Sequence, residues 1–78
     1  MQKLVHLAIN DEGFVFDPTS GDSYQVSQTG LHILSGLRTG KADIEIAQLL
    51  AEKYEVNLED AQRDVADFLA NLKNLGLT

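Results

Sequence analysis

The spacing of apolar residues changes character once along this chain, at about Ser27. Before it the pattern is strand-like. "LVHLAI" (4–9) is apolar with β-branched residues, and "NDEG" (10–13) reads as a turn. "FVF" (14–16) resumes the strand pattern and places Phe14 and Phe16 on one face. "DPTSG" (17–21) is a strong turn signal: Asp17 can accept main-chain hydrogen bonds, Pro18 presets φ and Gly21 tolerates positive φ. In "SYQVS" (23–27), Tyr24 and Val26 share one face and Ser23 and Gln25 the other. Three short strands in a row predict a small antiparallel sheet.

After Ser27 the period becomes helical. Ser27 is a suitable N-cap, and Leu31, Leu34 and Leu37 repeat at helical spacing up to Gly40. A second helix is predicted from about Ala42 to Tyr54, with Ile46, Ala47, Leu50 and Tyr54 on one side and Leu49 off that stripe. In the third, Asn57 and Asp60 form a capping arrangement. Leu58, Ala61, Val65, Phe68, Leu69, Leu72 and Leu75 make a long apolar stripe, and Gly76 ends it. The expected class is α+β: a small three-stranded antiparallel sheet followed by three helices, in one domain over 1–78.

Composition narrows the function. Seventy-eight residues bury only ~60% of their unfolded surface, so stability should be modest. No cysteine is present, which removes disulfides and thiolate metal sites and fits a cytoplasmic setting. No apolar run reaches the roughly 18 residues of a membrane-spanning helix, and the N-terminus lacks the features of a signal peptide. Six basic against twelve acidic residues give a net charge of −6. That balance opposes nucleic acid and anionic membranes, because phosphate contacts need clustered cations.

Four chemical motifs suggest themselves and fail on their residues. "SGLRTGKA" (35–42) resembles a phosphate-binding loop, but Ser35 replaces the first glycine, Ala42 replaces the hydroxyl residue, and a helix precedes it. A helix–helix turn with a glycine end-cap explains it better. "DPTSGD" (17–22) lacks the ligand spacing of a calcium loop, with proline at 18 and glutamine at 28. "DSY" (22–24) keeps two letters of a carrier-domain Asp-Ser-Leu, but at a strand start. His6 and His32 have no accompanying ligand or nucleophile signature and read as partly exposed surface residues. No catalytic residue, metal ligand or cofactor site is expected.

Strands followed by three helices also suit a winged helix-turn-helix, whose third helix often enters DNA. Here Glu59, Asp60, Asp64 and Asp67 outnumber Arg63 and Lys73 on that helix, so the architecture fits and the DNA role does not.

From about Leu4 to Leu77 the chain resembles the PqqD-like family, the precursor-peptide recognition elements of peptide-modification systems. "FVFDPTSGDSYQVSQTGLHIL" is similar to that family's hairpin running into its first helix. "IEIAQLLAEKYEV" and "DVADFLANLKNLGL" are similar to its second and third helical elements. The resemblance implies a winged-helix-like fold and a peptide-binding adaptor with no enzymatic activity of its own. Such an adaptor captures the leader of a ribosomally made precursor by adding it as a strand. It then presents the peptide to a modifying enzyme such as a radical SAM maturase. The runner-up is a winged-helix nucleic-acid binder.

By that resemblance the peptide lies along Ser23, Tyr24, Gln25 and Val26 and against the third helix; Gln62, Ala66 and Leu69 are the expected contacts there because they flank the buried stripe rather than lie at its centre. On the residues alone, 23–26 reads rather as the ordinary edge that every open sheet has, and it is the resemblance that favours peptide capture. Two positions depart from the family. Ala42 stands where Thr or Ser usually caps the second helix, a loss of ~1 kcal/mol unless Asp43 substitutes. Gly30 stands where alanine is more common. Neither is expected to touch the binding edge.

Overall fold

Alternation along the second strand decides which way the sheet faces. The computed structural model describes residues 6–77. In it β1 (Ala8–Ile9), β2 (Phe14–Asp17) and β3 (Asp22–Gln25) form an antiparallel sheet in the order β1-β2-β3. Side chains alternate between faces, so Val15 and Asp17 are buried while Phe14 and Phe16 remain 50% and 44% exposed. The two phenylalanines do share a face, and it is the outer one.

The first strand is shorter than its apolar run. Among the described residues, β1 pairs with β2 through Ala8 and Ile9, opposite Phe16 and Val15. Leu7 is buried in the core just ahead of the ladder, and positions 4 and 5 lie outside the described residues. At the hairpin, Asp17 behaves as its sequence suggests. Its Oδ1 accepts from Thr19 N at 2.9 Å and from Thr19 Oγ1 at 2.6 Å, and Gly21 takes φ +79°. The Thr19 hydroxyl, followed by its amide, holds the Asp17 carboxyl below its ordinary value, against the opposing effect of burial.

Three helices follow: α1 (Gln28–Arg38), α2 (Asp43–Tyr54) and α3 (Leu58–Asn74). Ser27 Oγ accepts from Gly30 N at 3.1 Å, and Asn57 Oδ1 accepts from Asp60 N at 2.8 Å, so both expected caps form. Ala42 has no oxygen to offer. Glu45, rather than Asp43, compensates in part, its Oε1 accepting from Ala42 N at 3.1 Å. The glycine-lysine segment after α1 is a helix end: Gly40 N donates to Leu37 O and Lys41 N to Gly36 O, with Gly40 at φ +84°. Gly76 and Leu77 close α3 in the same way.

The core joins Leu7 and Val15 to one face of each helix. Ile33, Leu34 and Leu37 come from α1, Ile46, Ala47 and Leu50 from α2, and Ala61, Val65 and Leu72 from α3. Ile33 takes the central place in α1, while Leu31 is only half-buried. Leu49 is 50% exposed, as its position off the stripe predicts. The stripe on α3 is buried in its middle and emerges at both ends, where Leu58 and Leu75 are exposed.

Two outcomes follow from these local bonds. Ala42→Ser supplies an acceptor for the Glu45 amide and should stabilise the fold by about 1 kcal/mol. In a domain this small that is a rise in Tm of about 4–8 °C, readable by circular dichroism. Asp17 has a folded pKa below its unfolded value of 3.8, so between the two the unfolded chain binds more protons. Its contribution is therefore present above about pH 4 and lost as pH falls through the folded value. Urea midpoints should fall more steeply on acidification for the native chain than for Asp17→Asn.

Candidate functional site

Among the described residues, β3 pairs with β2 on one side and has no strand on the other. Register decides which of its main-chain groups face the open side. Val26 N donates to Gly13 O at 2.8 Å, one step beyond the Phe14↔Gln25 pair. Bonded and non-bonded pairs alternate in an antiparallel ladder, so Tyr24 and Asp22 also direct their N–H and C=O groups at β2. Ser23 and Gln25 direct theirs outward. The far side of β2 agrees: Asn10 N donates to Phe14 O at 3.0 Å, which assigns Phe14 and Phe16 to β1 and leaves Val15 for Tyr24. Two donors and two acceptors, repeating about 7 Å apart along the strand, thus face outward.

Beside this edge runs a groove of about 480 Å³ between β3 and the C-terminal half of α3. Tyr24, Val26, Phe68, Leu72 and Leu75 supply apolar surface, and the amides of Asn71 and Asn74 supply hydrogen-bonding groups. No ionisable acid or base other than the Tyr24 phenol lines it. Burial, and then the charges of Asp22 and Asp17, push that phenol above its ordinary value, so it stays protonated and able to donate.

Gly30 belongs to this site, contrary to the expectation that it stands apart from the binding edge. A Cβ at Gly30 would lie 2.8 Å from Phe68 Cε1 and 3.2 Å from Val26 Cβ. Those are the two side chains that join strand to helix in the groove. Absence of a side chain at 30 lets them close over α1.

The residues expected to bind peptide divide into two sets. Ser23 and Gln25 are exposed on the edge, and Tyr24 and Val26 are half-buried in the groove. Gln62, Ala66 and Leu69 do not join them; they line a separate depression with Asp43, Ile44 and Val65, towards α2. A helix turns about 100° per residue. With Ala61, Val65 and Leu72 buried, 62, 66 and 69 fall on one flank of the stripe and 68, 71 and 75 on the other. Only the second flank faces β3. Phe68, Asn71 and Leu75 are therefore the α3 residues that line the groove beside β3, and the sequence alone did not single them out for it. The sequence carried no signal for the side, since Gln62 on one flank and Asn71 on the other are both uncharged amides.

Elsewhere the chemistry is sparse. His6 is exposed, and His32 is half-buried with its ring edge-on to Tyr54 at 5.9 Å. Among the described residues, no three His, Cys, Asp or Glu side chains gather as metal ligands would. Glu59, Asp60, Asp64 and Asp67 are all exposed on α3, relieved only by an Arg63–Asp60 pair at 3.7 Å. No helix among the described residues is long and apolar enough to cross a membrane.

Two solved structures resemble this fold. One is described as "Lasso peptide synthetase B1 complexed with the leader peptide"; it is 35% identical and superposes with a TM-score of 0.79, over 91% of this chain and 85% of that one. The other, "TbiB1 in Complex with the TbiA(beta) Leader Peptide", is 32% identical with a TM-score of 0.79, over 91% and 84%. No curated protein matches significantly. Residues 12–77 match the family described as "Coenzyme PQQ synthesis protein D (PqqD)". With that match running through hairpin, edge strand and all three helices, the chain belongs to the PqqD family.

Proposed function

We propose that this protein is a non-catalytic adaptor that captures the leader of a ribosomally made precursor peptide as a fourth strand on β3. The observation that carries the reading is the outward-facing pair Ser23 and Gln25 beside an uncharged, largely apolar groove. Both structural neighbours are described with a leader peptide bound, which supports the same reading here. Ser23 and Gln25 supply main-chain bonds. Tyr24, Val26, Phe68, Asn71 and Leu75 receive alternate side chains of the peptide.

Magnitudes assign the two parts different tasks. Four main-chain bonds at about 0.5–1.5 kcal/mol each roughly match the 2–5 kcal/mol that ordering a flexible peptide costs. Apolar side chains buried in the groove, at about 25 cal/mol per Å², must therefore supply the net affinity and the selectivity. The strand fixes register; the groove chooses the peptide.

The second partner is the enzyme that acts on the peptide's core, in the cytoplasm where precursor peptides are made. The family resemblance suggests a radical SAM maturase. The lasso peptide synthetase setting of one neighbour favours a different leader-dependent enzyme. On this reading the winged-helix-like order of sheet and helices serves a peptide where other proteins use it for DNA, and the acidic α3 surface disfavours the nucleic-acid alternative.

Proline substitution along β3 tests the register. Ser23→Pro and Gln25→Pro each remove one outward donor at an edge position that tolerates proline. Each should weaken the co-encoded leader by up to about tenfold in calorimetric titration, with Tm largely kept. Tyr24→Pro removes a bond to β2 and should instead destabilise the hairpin. Undiminished binding by folded Ser23 and Gln25 variants would refute strand addition.

Gly30→Ala separates the groove from the edge. It gains about 0.5–1 kcal/mol of helix stability, which offsets the cost of displacing Phe68. Leader affinity should drop while Tm changes little, and the Phe68 ring resonances should move.

A further inference from the structure

Positive charge is concentrated on a face that takes no part in the groove. The chain has six lysines and arginines against twelve acids. Three of the six, Arg38, Lys41 and Lys53, border two adjoining clefts that share His32, Ser35 and Thr39. The smaller cleft, about 240 Å³ between α1 and α2, is lined by Lys41 and Lys53 with no carboxylate. Its apolar wall is Ile46, Leu49 and Leu50. Leu49 is half exposed, one of the largest apolar surfaces left on α2.

Acids lie nearby, but among the described residues none pairs with these cations. Asp11 lines the larger cleft with Arg38, and Glu45 and Glu52 lie past Leu49 along a shallower depression that includes Lys41. Among the described residues, none of Arg38, Lys41 and Lys53 forms an ion pair; the pair present joins Arg63 to Asp60. An apolar slot rimmed by unpaired ammonium groups selects a segment with an apolar side chain flanked by carboxylates. A second copy of this chain is a poorer occupant, because two bodies of charge −6 repel. The outer sheet face with Phe14 and Phe16 is apolar but offers no charge to choose a partner.

We propose that the α1–α2 cleft docks an acidic, apolar segment of the modifying enzyme. It shares no lining residue with the groove beside β3, so enzyme and leader occupy separate faces at the same time. The inference rests on the adaptor reading above. It adds a second, electrostatically selected surface that holds the enzyme while the leader is bound.

The test uses the full chain, isotopically labelled, with the co-encoded leader peptide and the co-encoded enzyme titrated in turn. Leader should shift amides at 23–26 and around Phe68. Enzyme should then broaden His32, Lys41, Leu49 and Lys53 and leave the leader shifts in place. A Lys41→Glu, Lys53→Glu double variant should lose enzyme affinity by about tenfold or more, with leader affinity unchanged and the native loss of affinity at high salt abolished. Leu49→Ser, which alters an exposed residue, should weaken the enzyme without lowering Tm. Enzyme binding undiminished in the double variant, perturbation mapped to Phe14 and Phe16, or self-association through this cleft would each overturn the proposal. Failure to bind leader at all would instead overturn the adaptor reading, so the two failures are distinguishable.

Discussion

In the β2–β3 ladder Val15 stands opposite Tyr24, and that single pairing fixes the parity of everything around it. It turns Val15 into the core and the phenylalanines of β2 outward. It commits the main-chain groups of Tyr24 to β2 and leaves those of Ser23 and Gln25 facing the open side. It also sets Tyr24 and Val26 against α3, where they form one wall of the groove. A slip of one residue would exchange both sets: polar side chains would enter the core and the outward main-chain groups would move to 22 and 24. The burial of Val15 in the core holds the edge in register.

Groove and fold are coupled through Gly30. A helix-interior glycine costs about 0.5–1 kcal/mol relative to alanine, and a chain that buries so little surface has little stability to spare. The close approach of Phe68 and Val26 over that glycine gives the position its physical reason. Ala42 is different. Its missing cap is only partly made good by Glu45, and nothing in the structure near 42 benefits from the methyl group.

Charge is distributed as unevenly as apolar surface. Carboxylates cover the solvent face of α3, the groove beside β3 carries no formal charge, and half of the lysines and arginines border the two adjoining clefts along α1. On the proposed reading, a peptide seated beside β3 by main-chain bonds and apolar contacts would depend little on salt.

Local chemistry determined much of this protein before any folding is considered. The Asp17 turn, the Ser27 and Asn57 caps, the glycine ends at 40 and 76 and the change of period at 27 depend on residues within a few positions of each other, and each is realised as the sequence implies. So is the edge position of the third strand, β3 at Asp22–Gln25, which among the described residues is followed by helices alone. What the sequence could not decide is sidedness. The two flanks of the α3 stripe are equally polar at their margins, so Gln62, Ala66 and Leu69 are as plausible as Phe68, Asn71 and Leu75 until the helix is rotated onto the core. The same holds for β2, where two phenylalanines outweigh one valine in any local count, yet it is Val15 that meets Ile33 and Leu34 inside the common core. Which flank faces the strand, and which glycine lies under the groove, are set by how helices pack across the sheet, and that packing joins residues about 40 positions apart in the chain.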